Sequence, residues 1–239
     1  MLTNGTATEA LQTFARSSSL LLFRKTNGGI RPIMLQPFVV KLAWKIQLAK
    51  IAVKGALLPN QLSGPYAAQK AISRIQTAID DDQLVCTLDA QNAFGEIRRA
   101  NIAEALQSNP TLHRLGGLFN VMYHASVTAS CKTIDSSIDI AVKEGVYQGC
   151  AAASFLFSVG LAQALKGVDT NQRRVHLTCI ADDIALSTPK ENMTPLENTL
   201  QDLRERLAAC GITLNKTKCS KLHVCVLVRV GITRSGVKT

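Results

Sequence analysis

Apolar positions recur along this chain at several periods, and those periods sketch its elements. The stretch "LLLFRKTNGGIRPIML" (20–35) reads as two strands joined by a tight turn at Asn27–Gly28–Gly29. "FVVKLAWKIQLAKIAVKGAL" (38–57) has helical spacing, with Lys41, Lys45 and Lys50 interrupting the apolar residues. "YAAQKAISRIQTAI" (66–79) predicts a second amphipathic helix, ended by the acids Asp80–Asp82, and "LVCTL" (84–88) predicts a buried strand. "RANIAEALQ" (99–107) is helical and stops at Asn109–Pro110. A helix near 112–122 and a polar hairpin, "SVTASCKTIDSSIDIAV", are expected next, before an apolar helix over 150–165. "RVHLTCI" and "IALST" form a hairpin with Asp182 and Asp183 at its tip. "PLENTLQDLRERLAAC" (195–210) is an amphipathic helix with Pro195 in its first turn and Gly211 past its end. "ITLN" and "KLHVCVLVRV" supply late strands.

From 84 onward this order is a split β-α-β-β-α-β layout with an extra inserted helix. The fold class is therefore α+β, a ferredoxin-like sheet with helices packed on one face. In that layout the end of strand 84–88 and the tip at 182–183 lie side by side.

Charge narrows the partners. A formal net charge of +10 favours a polyanion, whether nucleic acid, an acidic membrane surface or a phosphate-rich substrate. The 7 cysteines contain no C-x-x-C pair and several sit in apolar runs, so a reducing intracellular compartment is expected. Cys219, His223 and Cys225 lack a fourth ligand and finger-like spacing, so zinc is not expected. No secretory leader is expected at the N-terminus. The longest apolar run, 150–165, is short for a membrane span and carries Ser154, Ser158 and Gln163, so no membrane partner is expected.

The candidate chemistry lies with three acids. Asp182 and Asp183 stand between apolar residues, where an uncompensated carboxylate is costly. One reading is a tight turn in which Asp side chains bond local N–H groups. The other is a metal site completed by Asp89, which follows the strand 84–88. Magnesium takes hard oxygen ligands and is held by one or two carboxylates plus substrate phosphates. A pair of such ions clamps the attacking and leaving oxygens of an in-line phosphoryl transfer.

The blocks around these acids resemble the reverse transcriptase family. "LDAQNAFGEI" resembles its motif A, "EGVYQGCAAASFLF" (144–157) motif B, "IADDIAL" motif C and "CGITLNKTKC" (210–219) motif D. Upstream, "RKTNGGIRPI" resembles a fingers motif and "LLPNQLSG" the block after it. All run in the family's order, and the Gly-Gly-x-Arg-Pro-Ile and Asn-Ala-Phe forms look most like non-LTR retrotransposon enzymes. Two departures stand out. Cys150-Ala151-Ala152-Ala153 replaces the usual Pro-containing run of motif B, and Gly95 stands where many members carry Asp or Asn.

The resemblance implies a fingers-palm polymerase. An N-terminal lead-in would span 1–19, a fingers-like segment 20–83, and the palm 84–228 with an inserted fingers segment at about 111–143. A tail at 229–239 would end a truncated domain whose thumb is missing. It further implies that Asp89 and Asp182, with Asp183 and the Ala90 carbonyl, bind two Mg²⁺ ions, Mn²⁺ being the alternative ion. Phe94 matches the steric gate against a 2′-OH, and as a bare residue it reads equally as a core aromatic. Lys25 and Arg31 match the fingers cations that meet the triphosphate, Gln148 and Gly149 the turn lining the nucleotide pocket, and Lys218 the motif D general acid. Expected partners are an RNA template, a DNA primer and dNTPs, in a nuclear or cytoplasmic setting. A catalytically inactive remnant that only binds nucleic acid stays open as the alternative. An RNA-copying RNA polymerase would want a small polar residue in place of Phe94.

Overall fold

The computed structural model describes residues 7–26, 28–51, 55–132, 135–168, 170 and 172–215. In chain order the elements are α1 (Glu9–Arg16), β1 (Ser18–Arg24), β2 (Ile30–Leu35), α2 (Phe38–Leu48), β3 (Gln61–Leu62), α3 (Ala67–Asp80), β4 (Leu84–Leu88) and β5 (Ala90–Gln91). They continue with α4 (Ala93–Glu96), α5 (Arg99–Ser108), α6 (His113–Tyr123), β6 (Val127–Lys132), β7 (Ser137–Val142), α7 (Ala153–Leu165), β8 (His176–Ile180), β9 (Asp183–Thr188), α8 (Met193–Ala209) and β10 (Thr213–Leu214). Among the described residues no helix is long and apolar enough to cross a membrane.

The chain divides into two compact units, one of residues 1–58 and 92–164, the other of 59–91 and 165–239. In the first unit a sheet of order β2-β1-β6-β7 combines two antiparallel hairpins through a parallel β1–β6 pair. The 25–29 turn closes with Lys25 N–H donating to Gly29 O at 2.7 Å, and Gly28 takes φ +81°. Beside the sheet α5, α6 and α7 build a core around Ile97, Ile102, Leu115, Leu118, Leu156 and Phe157. The apolar sequence of α7 thus marks a largely buried helix. Its Gly160 leaves room for Ile97 and Ile102, which lie 2.8 Å from where a Cβ would stand. The first helix, α1, lies inside the expected lead-in; Thr8 caps it by accepting the Leu11 N–H, and Glu9 and Arg16 complement its dipole. The helix expected over 38–57 ends at Leu48.

The second unit holds a sheet of order β3-β8-β9-β4. β8, β9 and β4 are antiparallel neighbours, and the two-residue β3 joins the edge parallel to β8. After Asp89 the course of β4 continues as β5, which β10 pairs antiparallel. The split β-α-β-β-α-β order is therefore kept, with its last strand on the extension of its first. The α3 helix packs across β3, β4, β8 and β9 with alanines, Ala67, Ala71 and Ala78, on its buried side. Helix α8 lies on β9 and β10 and buries the stripe Leu196, Thr199, Leu200, Leu203 and Leu207. The segment 221–230, expected as a late strand, lies outside the described residues.

Register segregates the two faces of this sheet. Paired residues share a face, and successive residues alternate. Leu84, Cys86, Leu88, Leu177, Cys179, Ile184, Leu186 and Thr188 all fall on one face, and all are buried. The opposite face carries Thr87, His176, Thr178, Ile180, Asp183 and Ser187, all exposed or half-buried, around buried Val85 and Ala185.

Candidate active site

In the second unit the acids gather at one end of the polar face. Leu88 pairs with Ile184, so the next step in register sets Asp89 opposite Asp183, on the face away from the apolar core. Ile180 pairs with Asp183, which opens β9; the tip of the hairpin is therefore Ala181–Asp182, one residue earlier than the sequence suggests. Ala181 makes the two-residue turn with φ +49°, a left-handed conformation that a non-glycine residue adopts at a cost. Asp182 follows directly.

The carboxyl of Asp183 is pushed above the usual carboxylate range, first by partial desolvation and then by the charges of Asp182 and Asp89. This holds although Asp183 is exposed by area, so the neighbouring acids are close enough to be felt through solvent. Asp89 is itself fixed from behind, its carbonyl accepting the Asn215 N–H at 2.8 Å. Ala90 pairs with Leu214 in the β5–β10 ladder. Among the described residues no group of three or more His, Cys, Asp or Glu side chains forms a metal site by itself. What the tip offers is hard oxygen donors whose mutual repulsion a divalent cation would relieve. That donor set fits Mg²⁺, which leaves much of its coordination to water and phosphate.

The first unit carries the other candidates. Arg31 and Lys25 are exposed on and beside the β1–β2 hairpin, Arg31 paired in register with Phe23. Phe94, half-buried, stacks on Phe157 with ring centroids 4.5 Å apart. It thus belongs in part to the core, as the plainer reading of the residue expected. Gln148 is tied to the β1–β2 hairpin, its carbonyl accepting the Met34 N–H at 2.7 Å. Gly149 at φ +108° presses so close that a Cβ there would stand 2.4 Å from Met34 O. The turn after Gly149 closes through Cys150 N–H donating to Tyr147 O at 3.0 Å. Cys150 is buried, and burial pushes its thiol up. Lys218 lies outside the described residues.

Sequence reasoning missed the residues that hold this turn. Gly145 N–H donates to Ile97 O at 3.1 Å and Val146 N–H to Phe94 O at 2.7 Å, so 145–149 is a strap between the Phe94 segment and β2. Arg99 is buried behind it. Its guanidinium donates to the carbonyls of Gly145, Tyr123, Ala125, Val142 and Glu144 and to Tyr147 Oη, at 3.0–3.3 Å. The rings of Tyr123 and Tyr147 lie 5.3 and 5.5 Å from it. Burial pushes the Tyr147 hydroxyl well up although the Arg99 charge opposes it, so the phenol stays protonated. The Glu144 carboxylate accepts the Arg99 main-chain N–H at 3.1 Å.

Comparison with known proteins adds the following. The model of the reverse transcriptase (RNA-dependent DNA polymerase) family matches residues 23–238. The retrotransposable element SLACS 132 kDa protein of Trypanosoma brucei gambiense is 25% identical over 218 residues, which cover 87% of this chain and 18% of that protein. The chain thus spans less than a fifth of that relative's length. Among solved structures, apo telomerase from Candida tropicalis superposes with a TM-score of 0.64 at 10% identity, over 90% of this chain and 45% of that one. Telomerase from Candida albicans, in complex with a TWJ fragment of telomeric RNA, gives 0.61 at 12% identity, over 90% and 44%. At such identities the likeness is one of fold.

Proposed function

Since this chain belongs to the reverse transcriptase (RNA-dependent DNA polymerase) family, we propose that it is the polymerase domain of a non-LTR-type retroelement, adding dNTPs to a primer 3′-OH along an RNA template. The observation that carries the reading is the strand register that sets Asp89 opposite Asp183, with Asp182 at the adjoining tip. Asp89 and Asp182 would hold the divalent ions, Mg²⁺ or Mn²⁺, with Asp183 and the Ala90 carbonyl beside them. Bound there, the ions supply charge neutralisation to the attacking and leaving oxygens.

The chain's own residues do the rest. Arg31 and Lys25 would meet the triphosphate, Arg31 as a planar fork suited to phosphate oxygens. Phe94 would exclude a 2′-OH, its ring held by Phe157. The Gln148–Gly149 turn would line the nucleotide, and Lys218 would protonate departing pyrophosphate. The net charge of +10 suits the polyanionic template and primer. The reaction is positioning and electrostatics, with no covalent intermediate on the protein.

The test is Mg²⁺-dependent dTTP incorporation on poly(rA)·oligo(dT) by the wild-type chain and by Asp182→Ala. Incorporation by the wild type and none by the variant is expected; equal incorporation by both would refute the site. Primer–template binding without incorporation by the wild type would favour the inactive, nucleic-acid-binding alternative.

A further inference from the structure

Arg99 is a buried cation that the proposed chemistry does not use. It sits at the first position of α5, just past the Phe94 segment, and is 7% exposed. Every side-chain bond described for it ends on a main-chain carbonyl or on Tyr147 Oη; four of the six partners lie in 142–147, and the Tyr123 and Ala125 carbonyls tie that segment to the end of α6. Tyr123 and Tyr147 stack on each other with centroids 4.7 Å apart, and Arg99 lies near both rings. The strap it holds is fixed at each end by a glycine against backbone. A Cβ on Gly145 would stand 2.4 Å from Gly95 O, and one on Gly149 2.4 Å from Met34 O. Between these ends, Val146 N–H fixes the carbonyl of Phe94, and the Gln148 carbonyl fixes Met34. The position of the Phe94 backbone, and so of its ring, is thus set by a strap that cannot shift without breaking the guanidinium's bonds.

We infer that Arg99 is a positioning residue for sugar selection. By clamping residues 144–147 it fixes both the Phe94 ring and the Gln148–Gly149 turn, and so sets discrimination between dNTP and rNTP without touching the nucleotide. The inference rests on Phe94 acting as the sugar gate. Arg99 suits the task because its planar, rigid fork satisfies several fixed carbonyls at once, which Lys cannot do. Tyr147 is the matching part, the one side-chain acceptor described for the guanidinium itself.

The experiment compares the wild type with Arg99→Lys, Tyr147→Phe and Phe94→Ala in the full chain. Tyr147→Phe keeps the ring and removes one acceptor, a milder change that still reads the clamp should Arg99→Lys fail to fold. Two quantities are read: the ratio of kcat/KM for dTTP over UTP, and hydrogen exchange at the Gly145 and Val146 amides against Val159 in α7. In Arg99→Lys and Tyr147→Phe the two strap amides should exchange at least tenfold faster with Val159 unchanged. The dTTP:UTP ratio should fall about tenfold, mainly through tighter use of UTP. Strap amides as protected as in the wild type would overturn the clamp. A loosened strap with an unchanged ratio, where Phe94→Ala collapses it, would overturn the link to selectivity and leave the gate standing. A ratio unmoved by Phe94→Ala would sink the gate itself, and this inference with it.

Discussion

Gly145→Ala tests the packing of the strap at a point where the structure fixes the magnitude. The new methyl would stand 2.4 Å from Gly95 O, 2.5 Å from Gly95 C and 2.5 Å from Phe94 O, all of them backbone. A carbon–oxygen contact becomes comfortable only at about 3.3 Å, so strap and Phe94 segment must part by roughly 0.9 Å. That parting strains or breaks the bonds from Gly145 N–H to Ile97 O and Val146 N–H to Phe94 O, each worth about 1 kcal/mol. Overpacking adds about 1–3 kcal/mol. The left-handed backbone at φ +73° costs alanine about 1–2 kcal/mol more. With both bonds broken, a loss of roughly 4–7 kcal/mol is large against a typical total of about 5–15. For a chain of this size it lowers the melting temperature by on the order of 10 °C or more. Differential scanning calorimetry or urea unfolding reads it directly. The control is Gly116→Ala in α6, where a Cβ meets nothing within 4 Å; it should stabilise by about 0.5–1 kcal/mol through helix propensity. If Gly145→Ala melted within about 2 °C of wild type, the backbone approach argued for the strap would be wrong.

Three further outcomes are expected. Because Asp183 in the folded, metal-free protein has its carboxyl pushed up, the folded state holds that proton more tightly than the unfolded chain does. Its unfavourable effect is absent below the ordinary value of about 3.9 and grows as pH rises through the folded value. Asp183→Asn should therefore melt above wild type at pH 7, with the difference closing towards pH 4; a gap that widened on acidification would contradict the charge crowding. Cys179, its thiol pushed up to about 12 by burial, should stay unlabelled by iodoacetamide at pH 8 until the protein unfolds, as peptide mass spectrometry would show. Labelling as fast as in denaturant would mean the apolar face is open. Leu186→Ala, at a fully buried position on that face, should cost about 2–5 kcal/mol in urea unfolding, and a cost under 1 kcal/mol would remove it from the core.

Much of this was legible in the sequence, and the exceptions have physical causes. Strands such as "LVCTL" and "IALST" announce themselves because their apolar runs end at acids and turn residues, and the helix of 193–209 because its leucines keep a helical period. Helix α2 is shorter than its pattern because apolar spacing continued past Leu48 where the helix does not. The two residues of β3 carry no period at all. The hairpin tip falls one residue early because Ala181, not an Asp, takes the left-handed backbone, which composition does not announce. Arg99 was invisible for another reason. Next to Arg98 it reads as one of two solvated charges, and only the fold reveals that the first is exposed and the second buried among carbonyls. Gly145 likewise stood inside motif B with no signal of its own, its need for a bare Cα set by a backbone fifty residues away in sequence.

The two-faced sheet of the second unit has a consequence for how this protein can fail. Since successive side chains alternate between faces, sliding β4 against β9 by a single residue would turn Leu84, Cys86 and Leu88 outward and Asp89 inward at once. A misaligned pair of aspartates therefore cannot hide inside an otherwise sound molecule. The oily side acts as a proofreader for the charged one: a β4 that buries its leucines has brought Asp89 into step as well.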